Sequence, residues 1–195
     1  MAILMEKVLV AYSSRFGSTE EIAIDIVETL EDEGIVVTLL NLKKITQIPD
    51  VNSYDGVLIG SGIMQGEWTD ESLAFLKQYR ETLNKTVLGL FVSSGEAANP
   101  KLYSDARNKY LKRLVEKFGF TNDPDTEAFG GVFDLSPNSI HSDQEKKILK
   151  QIILSDTTGF IVNDGKLSDF RNWQKIRDWT RSFARRVKII KNRSL

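Results

Sequence analysis

Five short apolar runs alternate along this chain with longer segments whose apolar residues recur at helical spacing, and few folds accept that order. The runs are Lys7–Tyr12, Ile35–Leu40, Gly56–Gly60, Thr86–Val92 and one within Ala128–Phe133. Val8-Leu9-Val10-Ala11 lacks the polar alternation of a half-solvated strand, so it is expected to be buried on both faces in a parallel sheet. The first helix is expected over Ser18–Glu33, with Ile22, Ala23, Ile26, Val27 and Leu30 on one face and Gly34 as its stop. A second runs from about Thr69 to Leu83. A third starts at Asn99-Pro100, read as N-cap and first helical position, and ends near Phe118. The last begins near Asp169 and carries the stripe Trp173, Ile176, Thr180, Phe183, Val187 and Ile190.

Strands alternating with helices predict an α/β fold, a doubly wound five-stranded parallel sheet covered on both faces. Right-handed crossovers restrict the strand order. The order 2-1-3-4-5 puts a ligand crevice at the carboxyl ends of the strands, beside strand one. At 195 residues, one domain over 1–195 is expected. An insertion at about 135–168 separates strand five from the last helix. Its middle has Ile148, Leu149, Ile152 and Ile153 at helical spacing, and Asn163-Asp164-Gly165 reads as a turn. It is either functional or an embellishment of the sheet edge.

Composition removes whole classes of chemistry. With no cysteine, disulfides, thiolate metal sites, iron–sulfur clusters and cysteine nucleophiles are out. The single histidine, His141, argues against histidine metal sites and Ser-His-Asp catalysis, and its polar surroundings suggest a solvated loop. A formal net charge of -1 argues against general nucleic-acid binding. Without an apolar run long enough for a signal peptide or a membrane span, a cytoplasmic location is expected. The segment Arg171–Leu195 holds nine Lys or Arg against one acid, Asp178. It reads either as a solvated helix face or as a contact for an anionic membrane surface or an acidic partner.

The loop after strand one is Ser13-Ser14-Arg15-Phe16-Gly17-Ser18-Thr19. Ser18 and Glu21 have the spacing of a capping box, which places the helix start there. A helix N-terminus offers free N–H groups and a partial positive charge, and the hydroxyls around it suit a phosphate dianion. The loop lacks the Walker lysine and the G-x-G-x-x-G dinucleotide fingerprint. An ordinary strand–helix turn is the alternative. Two further loops fall at the same end of the sheet. Ser61-Gly62-Ile63-Met64-Gln65-Gly66-Glu67-Trp68 has glycines that permit close backbone approach and an indole large enough to stack on a flat ligand. Trp68 otherwise reads as an anchor at a helix start. Ser93-Ser94-Gly95-Glu96-Ala97-Ala98 is built of small residues.

The Ser13-x-Arg15-x-Gly17-x-Thr19 loop resembles the phosphate loop of flavodoxins. With Glu21-Ile22-Ala23, Tyr54 to Ser61, Gly66, the long insertion, Asp156-Thr157, Asp169 and Trp173, nearly the whole chain is similar to the flavodoxin-like family that includes the menaquinone-dependent protoporphyrinogen dehydrogenases of bacteria. The resemblance implies an FMN-binding flavoprotein. FMN would be held by Ser13, Ser14, Arg15, Phe16, Gly17, Ser18, Thr19, Ser61, Gly62, Ile63, Met64, Trp68, Ser93, Ser94 and Gly95, with Gly62 and Ile63 near the ring nitrogen N5. Glu67 and Glu96 are the carboxylates placed to disfavour added negative charge on the ring. The implied function is electron transfer, as a carrier or small oxidoreductase, with a redox partner protein or a quinone. Two alternatives are a quinone-dependent protoporphyrinogen dehydrogenase and a cofactor-free interaction module on the same fold.

Overall fold

Three strands, β1 (Lys7–Ser13), β3 (Gly56–Gly62) and β4 (Val87–Ser93), are buried along their length, apart from Lys7 at the edge. Their runs of Val, Leu, Ile and Gly leave no polar face for water, so both faces require a cover. The computed structural model describes residues 5–139, 141–155 and 165–193, with 152–155 by backbone alone. With the outer strands β2 (Val36–Asn41) and β5 (Asp125–Phe129), they form a parallel sheet in the order β2-β1-β3-β4-β5, as expected.

The pleat divides β1 between two cores. Leu9 and Ala11 pack with Phe75 and Leu76 of α2 (Asp70–Gln78), Leu83 of α3 (Arg80–Leu83), Ala106 of α4 (Tyr103–Arg107) and Leu114 of α5 (Arg113–Phe118). Val8, Val10 and Tyr12 pack on the other face with Ile22, Ile26 and Leu30 of α1 (Ser18–Asp32) and with α7 (Trp173–Arg193). Ile176, Thr180, Phe183 and Val187 of the expected α7 stripe are fully buried, while Ile190 is exposed.

Several boundaries differ from expectation for local reasons. The helix expected over Thr69–Leu83 is broken at Tyr79 into α2 and α3. The regular helix α4 starts at Tyr103 rather than Pro100, but Asn99 caps the turn that leads into it: its side chain accepts from Lys101 N–H and its carbonyl from Leu102 and Tyr103. Between α4 and α5 the chain widens into a π turn, Asn108–Lys112. Strand five ends at Phe129, and β6 (Val132–Asp134) leaves the sheet to pair antiparallel with β7 (Leu167–Asp169). At the break, a Cβ on Gly130 would fall 2.1 Å from the Phe170 carbonyl oxygen, so only glycine fits. Asp169 therefore belongs to β7, and α7 begins at Trp173. Within the insertion, α6 (Asp143–Ser155) forms as expected. Asn163 and Asp164, the Asp156-Thr157 pair, and the side chains of Ile152 and Ile153 lie outside what is described.

The basic end of the chain meets acids from the body of the fold. Arg171 pairs with Glu21 and Asp169, Lys175 with Glu127, and Arg177 with Asp25. Arg181 and Lys188 reach Glu33, Arg186 reaches Asp125 and Lys191 reaches Asp55. This pairing favours the solvated-face reading over contact with an anionic surface. Among the described residues, no helix is long and apolar enough to cross a membrane.

The ring of Phe91 lies over Gly60, where a Cβ would come within 2.1 Å of Phe91 Cζ. Gly60→Ala overfills a fully buried layer and is expected to lower the unfolding free energy by about 1–3 kcal/mol. Chemical denaturation checks this; an unchanged midpoint would show that the ring can move aside.

Candidate functional site

The carboxyl ends of β1, β3 and β4 enclose a cleft of about 310 Å³, at the lower end of the roughly 300–1,000 Å³ typical of small-molecule sites. It is built from the strand ends outward. After β1 the chain turns through Ser14, whose hydroxyl accepts from Gly17 N–H at 2.9 Å. Gly17 takes φ 88°, the left-handed conformation that suits glycine, and α1 starts at Ser18.

No side chain caps α1, so the expected box does not form. Glu21 is drawn away by Arg171 at 2.6 Å, and Ser18 Oγ lies 3.2 Å from Ser93 Oγ across the cleft. The first turn of α1 therefore keeps N–H groups for something else. Thr19 is fully buried, lines the cleft, and has an Oγ1 without a hydrogen-bond partner. Opposite it, a Cβ on Gly62 would come 3.0 Å from that oxygen, so the glycine keeps the space open. A buried hydroxyl without a partner is costly, about 1–3 kcal/mol, unless a ligand satisfies it.

The loop after β3 closes as a tight turn. Met64 and Glu67 exchange backbone hydrogen bonds around Gln65 (φ 53°) and Gly66 (φ 84°), the signs of a type I′ turn. Arg15 holds this turn to the first loop. Its guanidinium donates to the carbonyls of Gly62, Glu67 and Trp68, the last at 3.1 Å. Arg15 thus braces a loop rather than pointing its charge at the space beside Thr19.

Of the residues singled out from the sequence, Ser14, Arg15, Phe16, Ser18, Thr19, Gly62, Ile63, Met64, Ser93, Ser94 and Gly95 line the cleft together. Ser13, Gly17, Ser61 and Trp68 do not. Ser13 is buried and donates to Glu71, and Ser61 Oγ accepts from Thr69 N–H. Trp68 does not stand in the cleft as a stacking surface; it is 4 % exposed, packed in the core, with Nε1 donating to the Tyr110 carbonyl at 2.8 Å. Its anchor role prevails because the indole is both apolar and a donor that the widened turn can use. Glu67 is exposed on the turn and Glu96 lines the cleft.

The cleft also takes residues that sequence reasoning missed. Lys109 and Tyr110 enter from the π turn, a feature that recurs at functional sites. Phe133 comes from β6 and Leu149 from α6. His141 is not solvated: it is 9 % exposed, and its ring meets Phe16 edge-on with centroids 5.1 Å apart. The insertion thus reaches the side of the cleft formed by the loop after β1. Among the described residues, no cluster of His, Asp or Glu suits a metal ion.

A family model described as Flavodoxin domain matches residues 9–136. The chain is similar to protoporphyrinogen IX dehydrogenase [quinone] of Escherichia coli, 28% identical over 109 residues, which cover 56% of this chain and 60% of that one. The match thus spans about three-fifths of the curated relative's length. Among solved structures, a flavodoxin mutant of Fusobacterium nucleatum bound to flavin mononucleotide has a TM-score of 0.52 at 14% identity, covering 93% of this chain and 97% of that one. The metal-soaked Flv1 flavodiiron core of Synechocystis has a TM-score of 0.54 at 14% identity, over 96% of this chain and 37% of that one. At these identities the structures share the fold.

Arg15→Met keeps the aliphatic stem and removes the donors to the turn. Each such bond is worth about 0.5–1.5 kcal/mol, so amide exchange across Ile63–Trp68 is expected to accelerate roughly ten- to a hundredfold while the central strands stay protected. Unchanged exchange there would show that other contacts hold the turn.

Proposed function

The chain belongs to the flavodoxin domain family, and we propose that it binds FMN in this cleft and transfers electrons, as a flavodoxin-like carrier or a small oxidoreductase. The observation that carries the reading is the buried, unsatisfied Thr19 hydroxyl at the uncapped start of α1. Hydroxyls, free N–H groups and the helix dipole at one point suit a phosphate dianion, and the space kept open by Gly62 admits it. FMN supplies, when bound, a centre that exchanges one or two electrons.

Each group of residues then has a task. Ser14, Ser18, Thr19 and the N–H groups after Gly17 hold the phosphate. Ile63, Met64 and Phe133 give the ring flat apolar cover, and Gly62, Ser94 and Gly95 offer backbone groups to its polar edge. Arg15 keeps the turn after β3 in place. Ser13, Ser61 and Trp68 support the loops from below rather than touching the group. A redox partner protein or a quinone would exchange electrons at the cleft mouth.

A second reading, quinone-dependent dehydrogenation of protoporphyrinogen, draws on the Escherichia coli relative and on the insertion, which extends the wall with Leu149. Turnover of protoporphyrinogen with a quinone acceptor by the FMN-loaded protein would select it; no turnover with FMN bound would leave the carrier.

Titration with FMN, followed by flavin fluorescence, tests the main reading. Thr19→Val keeps the shape and removes the hydroxyl. A hydrogen bond to a charged group is worth about 1.5–3 kcal/mol, so affinity is expected to fall roughly ten- to more than a hundredfold. Equal affinity would remove Thr19 from the phosphate site, and no uptake at micromolar FMN would leave the fold as an interaction scaffold.

A further inference from the structure

Phosphate and ring contacts leave two charged groups of the described cleft wall without a task, Lys109 and Glu96. Among the described residues, the cations lining the cleft are Arg15 and Lys109, and the carboxylate is Glu96. Arg15 is turned toward loop carbonyls. Lys109 Nζ lies 3.3 Å from Glu96 Oε1 and 4.8 Å from the centroid of the Tyr110 ring. A Cβ on Gly66 would sit 3.5 Å from the same nitrogen. The ammonium therefore fills the gap between the tip of the β3 loop and the loop after β4.

Its place is set by the elements that flank it. The π turn presents Lys109 and Tyr110 to the cleft, and the Trp68 indole fixes that turn through the Tyr110 carbonyl. Glu96 holds the ammonium from the opposite loop. The hydrogen bond to Tyr110 and the nearby Glu96 charge outweigh burial and keep the Lys109 pKa above its ordinary value, so the cation persists at neutral pH.

We propose that Lys109, positioned by Glu96 and the π turn, sets the redox potential of FMN bound in this cleft by favouring its reduced form; the inference rests on the FMN reading above. When a chemical reductant delivers two electrons and solvent one proton, the bound group becomes one unit more negative. A fixed cation in the wall then binds the reduced form better than the oxidised one, whereas Glu96 without its partner does the opposite. The side chains are partly exposed, 46% for Lys109 and 33% for Glu96, so solvent screens part of the effect.

Anaerobic redox titration of the FMN-loaded protein with dye mediators, paired with FMN affinity measurements, tests this on wild type, Lys109→Met, Lys109→Arg and Glu96→Gln. Lys109→Met is expected to cut the preference for reduced over oxidised FMN about tenfold, a drop of about 30 mV for a two-electron couple. Lys109→Arg should stay near wild type, and Glu96→Gln should move the potential upward. Raised salt should narrow the gap between wild type and Lys109→Met. A Lys109→Met protein that loses affinity for both forms equally, at an unchanged potential, overturns the proposal and makes the lysine a holder of the loops. Should Lys109→Met fail to fold, Lys109→Gln takes its place, and an unmoved potential there overturns it. Wild type that takes up no FMN overturns the cofactor reading itself, a separate result from FMN bound at a potential indifferent to Lys109.

Discussion

Parallel strands buried on both faces can satisfy their backbone groups only through one another, and that requirement sets where everything else in this molecule lies. In the observed register Ser13 stands opposite Ser61, and Gly62 opposite Ser93. Neighbouring strands are about 4.8 Å apart, so loops leaving those positions must converge within the width of a small ligand. The cleft is thus a consequence of sheet pairing. The helices that cover the faces add its floor and walls, and their apolar stripes in turn keep water from the strands.

Beneath the loops lies a second layer that fixes their shape. Ser61 Oγ accepts from Thr69 N–H at 2.9 Å, Thr69 Oγ1 donates to Ser72 Oγ at 2.9 Å, and Ser72 Oγ donates to the Gly60 carbonyl at 3.0 Å. All of these side chains are buried, so each bond replaces a costly desolvated group with a satisfied one. Trp68 ties the same region to the π turn on the neighbouring helix. Polar groups that face the cleft can therefore wait in place for a ligand, and Thr19 is the member of the loop layer left unsatisfied. The contrast between a satisfied floor and one unsatisfied buried hydroxyl is what supports the proposal of a binding site over an ordinary gap between loops.

How much of this is legible in the sequence depends on how local the cause is. The strand order and the helix faces follow from runs such as Val8–Ala11 and from the spacing of Ile22, Ile26 and Leu30, because burial on a given side repeats with the period of the element. The hydroxyl loop is contiguous, and Ser14, Arg15, Phe16, Ser18 and Thr19 of it line the cleft while Ser13 and Gly17 do not. Trp68 defeats such reading because an indole in a glycine-rich loop has the same letters whether it stacks on a ligand or anchors a turn; the Tyr110 carbonyl that decides the matter is 42 residues away. Lys109 reaches the cleft only because an α-helix widens by one turn, and no propensity marks Asn108–Lys112 for that. Phe133 arrives through the break at Gly130, imposed by the Phe170 carbonyl from the far side of the insertion. His141 looked solvated because its sequence neighbours are polar, while its actual neighbour is Phe16.

Arg15 shows how the first loop and the turn after β3 become one device. A cation beside a phosphate loop invites assignment to the phosphate, yet a guanidinium carries donors in a rigid fork and can satisfy several carbonyls at once. Here it takes those of Gly62, Glu67 and Trp68, which lie on the turn where Gln65 sits at positive φ. A non-glycine residue in that conformation is uncommon, so the turn needs outside support to keep its shape. The support comes from the same loop whose hydroxyls and N–H groups face the proposed phosphate position. Whatever orders Ser14 through Thr19 therefore also orders Gly62 through Trp68. On the proposed reading, phosphate contacts at one end of the cleft and ring cover at the other would be coupled through one side chain, with the anion left to directional donors and the helix dipole.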